Sequence, residues 1–275
     1  MINNIMRFCV SHAKPLLPND WYDYCISLGD YQLESPTNVR QLDRFWYESR
    51  PIAYGAAGTH VLPIVIEKFA SSASHIEILS YRKRVIPTPE GVESTSFPTM
   101  QELTRQQLLA KGELFASVPP AGLEFLLAQP LSFEESVIGQ YAACHYREDI
   151  LDYAAIAVEL GVLGKGAVGE FLEAKHFIPG GAELGVYPKS WSMHSLAAIE
   201  RVSREFLVRH GSRIETYGHY QIRAVQFLSE RLGSYLLIRQ LVELYPNCIP
   251  AGIFGYMTTI VEENAEYVPG LGDPQ

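Results

Sequence analysis

HYQIRAVQFLSERLGSYLLIRQLVEL, residues 219–244, carries a sustained helical signal. Apolar side chains recur at Val225, Leu228, Leu232, Tyr235 or Leu236, and Leu241, the i, i+3, i+4, i+7 spacing that puts one stripe of a helix against a core. Gly233 is its one internal glycine, and Pro246 closes the segment because proline cannot continue a helix. Arg223, Phe227, Glu230 and Ser234 follow one another at steps of 4, 3 and 4, so Arg223 and Glu230 share a face beside apolar surface. Such a pair is either a structural ion pair or the edge of a site. From the residues alone the ion pair is the simpler reading.

Upstream, the pattern alternates between strand and helix. Residues 5–10 (IMRFCV) read as a buried first strand running into Ser11-His12-Ala13-Lys14-Pro15. In an open α/β sheet the ligand crevice lies outside strand carboxyl ends, which makes His12 and Lys14 pocket candidates. Residues 38–49 resume helical spacing with Asn38 as N-cap, and 59–71 form a second helix with Pro63 near its start. Residues 75–81 (HIEILSY) read as a core strand delivering Arg82, and 87–98 as a mobile loop. Capping boxes at 99–102 and 132–135 are expected to open helices. Residues 115–118 read as a short strand, 149–160 as a helix capped by Gly161, and 164–175 as a short amphipathic piece. A strand is expected at 183–187, a long helix at 191–210 capped by Ser190, and a late strand within 249–261. Residues 269–275 read as a disordered tail. No repeat or linker divides the chain, so one α/β domain spans 1–275, with a mixed sheet and a helix-rich second half.

The chain has 275 residues, 47% of them hydrophobic and 19% charged, which suits a large soluble core. Its net charge of −9 argues against general nucleic-acid binding, which needs a basic footprint. A local basic pocket is still compatible, and Arg82-Lys83-Arg84 is the densest basic run. Apolar runs fall short of the roughly 20 residues that cross a bilayer, and no signal-peptide core is visible. Cys9, Cys25, Cys144 and Cys248 show no CxxC spacing and read as cytosolic free thiols. A cytoplasmic protein is expected, with peripheral attachment to the inner membrane face left open.

The common catalytic signatures are missing. GVLGKGA at 161–167 follows a helix rather than a strand and lacks the Ser or Thr of a phosphate loop. There is no HExxH, no GxSxG and no Asp-x-Asp. His145, Asp149 and Asp152 have helical spacing for metal ligands, but a solvated helical face is the simpler account.

Several segments, in order, resemble the glycosyltransferase-like family of bacterial capsular-polysaccharide and lipopolysaccharide loci, formerly a domain of unknown function. They are Cys9-Val10-Ser11-His12-Ala13-Lys14; Gly29-Asp30, Asn38, Leu42 and Trp46-Tyr47; Ser80-Tyr81-Arg82-Lys83-Arg84; Gln140-Tyr141-Ala142-Ala143-Cys144-His145-Tyr146; and Phe227-Leu228-Ser229-Glu230-Arg231-Leu232. The match covers about residues 7–245. The chain departs from the pattern at Ser80, where the family has His, and near Gly180-Gly181 or Ala182, where it has Asn.

The resemblance implies a GT-A-like, Rossmann-related sheet and transfer of a hexose from a nucleotide-diphosphate sugar, UDP-linked by preference, to a glycan or lipid-linked glycan acceptor. It implies catalytic roles for Glu230, His145 and Asp30, and substrate contacts from His12, Lys14, Asn38, Tyr81, Arg82, Arg223 and Ser229, the last otherwise a helix-packing hydroxyl. Without Asp-x-Asp, a need for Mn or Mg is open, and Arg82, Lys14 and Arg223 are the groups expected to neutralise the diphosphate. A binding module without turnover, or a transferase acting on protein or nucleic acid, are the alternatives. A geometric test follows: Arg223 and Glu230 should lie near the end of the first strand.

Overall fold

The computed structural model describes residues 4–95, 97, 99–111 and 117–262. The expected 115–118 strand and the 269–275 tail lie wholly or partly outside them.

The sheet carries strands β1 (Ile5–Ser11), β2 (Tyr24–Ser27), β3 (His75–Ser80), β4 (Lys83–Ile86), β5 (Val92–Glu93), β6 (Met100–Thr104) and β7 (Leu126–Ala128) from the first half. A small ladder pairs β8 (Leu131–Ser132) with β9 (His176–Phe177), and β10 (Gly185–Pro188) and β11 (Phe254–Val261) return to the main sheet. Its order is β2-β1-β3-β10-β7-β11-β6-β5, with β4 bridging β3 and β11. β1, β2 and β3 are parallel, and β10 runs antiparallel between β3 and β7. The sheet is therefore mixed, as expected. Its central strands read as apolar runs because both faces are covered: Phe8, Cys9, Ile26, Ile76, Ile78 and Leu79 are all buried.

Helices α1 (Val39–Leu42), α2 (Arg44–Ala53), α3 (Ala56–Thr59), α4 (Leu62–Phe69) and α5 (Arg105–Lys111) come from the first half. The second half supplies α6 (Val137–Cys144), α7 (Arg147–Glu159), α8 (Ala167–Leu172), α9 (Lys189–Ile214) and α10 (Ala224–Leu244). The main core joins α2, α4, α7, α9 and α10 to one sheet face through Trp46, Ile66, Tyr153, Phe206 and Leu228. No helix among the described residues is long and apolar enough to cross a membrane.

Several helix starts differ from expectation, each for a capping reason. Residues 38–49 break at Asp43, whose carboxylate accepts from Trp46 N (3.1 Å) and starts a second helix. Residues 99–102 are not a capping box: Met100 opens β6, and the box lies five residues on. There Thr104 Oγ1 accepts from Gln107 N, and Gln107 Oε1 accepts from Thr104 N. Ser132 lies in β8, and Ser136 caps α6 instead. α9 begins after Pro188 rather than at Ser190, and it runs through Gly211 to Ile214. The 87–98 loop contains the edge strand β5.

Candidate functional site

The parallel strands β1, β2 and β3 end on one side of the sheet, at His12, Gly29 and Tyr81-Arg82. Because β10 is antiparallel to β3, with Gly185 opposite Ile78 and Pro188 opposite His75, its entry loop (180–184) arrives at the same edge. This is the crevice position expected for an open α/β sheet. Two backbone bonds pin the β3–β4 turn there: Leu16 N donates to Tyr81 O (2.8 Å) and Ile260 N to Arg82 O (2.7 Å).

Four cations converge on this edge. Arg50, Arg82 and Arg223 each act on His12, which sits exposed at the mouth with its ring edge-on to Tyr81 at 4.7 Å. Partial burial, then those three charges, draw the His12 pKa below its usual 6.5. Lys83, the first residue of β4, feels Glu230, Arg82 and Arg223, and burial pulls its ammonium pKa below the ordinary value. Arg223 lies under three aromatic faces, Phe227 at 5.3 Å, Tyr54 at 5.7 Å and Tyr220 at 6.0 Å. Its Nη2 reaches only Gln226 Oε1, at 3.4 Å, and its Nε has no partner. Tyr54 reaches Arg223 from a backbone at φ 48, ψ −126, rare for a residue with a Cβ.

Arg50 owes its seat to a glycine. Gly29 has φ +58, and a Cβ there would stand 2.6 Å from Arg50 Cζ. Asn38 fixes this turn: its Nδ2 donates to Ser27 Oγ (3.0 Å), Tyr31 O (3.0 Å) and Gly29 O (3.2 Å), while its Oδ1 accepts from Arg40 N. A fully buried Asn with its amide so committed positions Gly29 and does not reach a ligand. That corrects its assignment as a substrate contact. Asp30 is exposed on the same turn and Lys14 on the loop beyond His12.

The cleft's acidic side comes from α10. Glu230 Oε1 accepts from Gly180 N at 2.7 Å, and no ion pair joins it to Arg223, so the structural-pair reading of that face does not hold. The 180–182 loop lies directly on the helix backbone, where a Cβ at Gly181 would meet Glu230 O at 2.6 Å. That close approach delivers Glu183 to Ser229, whose Oγ contacts Glu183 Oε1 at 2.7 Å and Gln226 O at 3.1 Å. Ser229 is fully buried, so it supports the acids from beneath. Burial raises the Glu183 pKa to about 8, with Ser229 opposing and Glu230 adding to the rise. Glu183 and Lys83 retain a little exposure although protein surrounds them, as groups on the floor of a cleft do.

His145 stands to one side. It ends α6, its Nδ1 pairs with Gln221 Oε1 at 2.9 Å, and its ring stacks on Phe227 (4.4 Å) and Tyr220 (5.7 Å). Burial lowers its pKa to about 4, so near neutral pH it is an uncharged wall of the Arg223 aromatic cluster. This placement replaces its assignment as an acid–base group. Asp149 and Asp152 are tied to Arg213 at 2.6 and 2.8 Å. Among the described residues no three of His, Cys, Asp and Glu assemble as metal ligands. The floor of the cleft offers two carboxyl groups, Glu183 and Glu230.

Arg50, Lys83 and Glu183 were not among the residues singled out from the sequence. Lys83 was visible in the basic run. Arg50 carried a weak signal, one helical turn beyond Trp46, and Glu183 carried none.

With this geometry in place, the fold has a counterpart. A structure titled WbbM bifunctional glycosyltransferase, in its apo state, superposes with a TM-score of 0.63 at 12% identity. The superposition covers 94% of this chain and 45% of that one, so the chain spans less than half of its neighbour's length. At that identity the likeness concerns the fold: this chain has a glycosyltransferase-like fold. No family model matches it, and no curated protein does.

Proposed function

We propose that this chain transfers a hexose from a nucleotide-diphosphate sugar, UDP-linked by preference, to a glycan or lipid-linked glycan acceptor in surface-polysaccharide assembly. The observation that carries the reading is the gathering of Arg50, Arg82, Lys83 and Arg223 at one strand-end cleft of a protein whose net charge is −9. Such clustering makes the cleft a region of positive potential that draws an anion. Planar guanidinium groups match two phosphate oxygens at once, and a lysine adds a point charge.

Bond cleavage between sugar and diphosphate leaves negative charge on the departing phosphate. Fixed cations that need not reorganise stabilise that charge. Arg82 and Arg223 hold the diphosphate, Lys83 meets the charge as it develops, and Arg50 closes the Gly29 side. Glu230, anchored by Gly180 N–H, keeps a second oxygen to take a proton from the acceptor hydroxyl or to orient it. His12 and Tyr81 line the mouth. The GT-A assignment and the Rossmann relation of the sheet belong to this proposal as well.

Thermal shift with UDP, GDP and CMP, with and without Mn²⁺, tests the reading, since bound ligand raises the melting temperature by mass action. UDP is expected to stabilise most and Arg82→Ala to abolish the shift. Absence of a shift with every nucleotide would overturn the proposal. A binding module without turnover is the second reading, favoured by the use of one Glu230 oxygen on Gly180 N–H. Slow hydrolysis of a UDP-hexose by the protein would exclude it.

A further inference from the structure

Tyr54 holds a backbone conformation that its own side chain makes costly. At φ 48, ψ −126 it occupies the region of the first central residue in a type II′ turn, which glycine fills freely and which strains a residue with a Cβ. The fold explains the turn but not the tyrosine. α3 packs tightly on β1, where a Cβ at Gly58 would collide with Val10 Cγ1, so the chain has to bend sharply after α2. Tyr54 N closes α2 on Arg50 O (2.8 Å) and Tyr54 O accepts from Ala57 N (3.2 Å), and a glycine would make both bonds. Among the described residues, Tyr47, Tyr217 and Phe227 are partly buried aromatics packed on the main core, and Tyr54 is not.

The ring goes instead to Arg223, 5.7 Å from its guanidinium carbon. Gly55 sets the approach: a Cβ there would stand 3.2 Å from Gln226 Nε2, so the turn rides directly on the start of α10. Seating an arginine among rings differs from seating it on a carboxylate. Glu77 takes up Nε and Nη2 of Arg84, whereas a ring attracts a guanidinium through its π face and takes none of its N–H donors. Of the three rings around Arg223, Tyr220 and Phe227 lie on its own stretch of chain and move with it. Tyr54 comes from α2, so it is the ring that ties Arg223 to a different element.

We propose that Tyr54 is a positioning residue for Arg223: its ring holds the guanidinium at the mouth of the cleft and leaves the N–H donors for an arriving phosphate. The strained turn persists because a glycine at that position would leave this side of Arg223 open. The role rests on the reading above, in which Arg223 meets the diphosphate of the donor.

Thermal melting without ligand and calorimetry with UDP test it on Tyr54→Gly, Tyr54→Phe and Tyr54→Leu. Tyr54→Gly relieves the strain, so its melting temperature should equal the wild type's or exceed it by about 2–4 °C. Its UDP affinity should nevertheless fall about threefold to tenfold. Tyr54→Phe keeps the π face and should bind UDP within about twofold of the wild type. Tyr54→Leu keeps the bulk and the strain without the face, and should lose as much affinity as Tyr54→Gly. In an Arg223→Ala background Tyr54→Gly should bring no further loss. A Tyr54→Gly protein that melts below the wild type, or does not fold, shows the ring to be packing and overturns the proposal. Equal binding by Tyr54→Leu and Tyr54→Phe overturns it as well. Losses that multiply in the double variant place Tyr54 on the ligand itself and overturn the positioning role. If the wild type binds no UDP, the donor reading fails and this role goes with it. If the wild type binds UDP and Tyr54→Gly binds it equally, this role alone fails.

Discussion

Arg84 and Arg223 show two opposite uses of one side chain. Arg84 points inward from β4, 3% exposed, with Nε and Nη2 on the two oxygens of Glu77 at 2.7 and 2.9 Å and its plane over Trp21 at 4.6 Å. Arg223, at the mouth of the cleft, has aromatic rings around it and no carboxylate partner. The helical layer follows the Arg84 pattern: Arg204 binds Asp43 and Glu200, both at 2.6 Å, and Arg213 binds Asp149 and Asp152. In these three sites a scaffold arginine meets a carboxylate, whereas Arg231, 7% exposed on α10, is held by Gln140 Oε1 and Phe227 O. At the strand-end edge Arg223 meets aromatic faces and an amide instead. A buried ion pair adds little net stability, but removing one partner is costly, so the two populations should respond to mutation in opposite ways.

The largest effect is expected from Glu77→Gln. It removes the buried carboxylate charge that Arg84 and Arg7 (Nε at 3.3 Å) share, a loss of about 3–5 kcal/mol in chemical denaturation. Nucleotide affinity per folded molecule should hardly move. Next comes Arg223→Ala, which removes charge-assisted bonds worth about 1.5–3 kcal/mol each. UDP affinity should drop about tenfold to a hundredfold by calorimetry, with stability kept or slightly raised. If Arg223→Ala instead unfolds the protein as Glu77→Gln does, the distinction between scaffold and cleft cations fails.

His60 sharpens the comparison through pH. It is 3% exposed, its ring lies 4.5 Å from Trp46, and its Nε2 has no partner. Burial, and then Arg204, lower its pKa to about 3. Because the folded value lies below the unfolded 6.5, its neutral ring favours the fold fully above pH 6.5. That contribution is lost as pH falls toward 3, by at most about 1.4 kcal/mol per pH unit. Asp149, which burial raises to about 6, acts in the opposite sense, favouring the fold at low pH and losing that contribution as pH rises through 6. His60→Phe should flatten the acid limb of the melting curve, and an unchanged limb would show that His60 does not set it.

The same contrast explains what was legible in the sequence. Periodicity found β1, β3, β11 and the long helices because each buries a stripe, and burial is what spacing encodes. The strand-end rule made His12 and Lys14 pocket candidates, the strand at 75–81 delivered Arg82, and Arg223 joined them only through the resemblance; the structure does bring His12, Arg82 and Arg223 together. Capping was read wrongly where two motifs competed: Thr99–Glu102 fits the box pattern, but pairing of Met100–Thr104 with β11 outweighs one cap. Asn38 as a helix cap and Ser229 as a packing hydroxyl are legible from the residues, but the substrate contacts that the resemblance implies for them are not, because a polar residue in a motif looks alike whether it holds a ligand or a loop; only the count of its satisfied atoms separates the two. Glu183 was invisible. Its chemistry comes from a tight crossing of Gly181 over α10, 50 residues away in sequence, and no local spacing records that.

Gly29→Ala should give the smallest effect and tests the least obvious member of the cation set. Two terms add. At φ +58 an alanine is strained by about 1 kcal/mol. Its methyl would also fall 2.6 Å from Arg50 Cζ, 2.9 Å from Nε and 2.9 Å from Nη1. The obstacle is the far end of a flexible side chain, so the guanidinium swings away and the backbone stays. Stability should fall by about the strain term alone, while UDP affinity falls several-fold as one of four charges leaves the cleft. Arg50→Ala in the Gly29→Ala background should then add almost nothing to the loss of affinity. If the two losses instead multiply, Arg50 was still acting on the ligand after the swing, and Gly29 matters through the shape of the 29–31 turn.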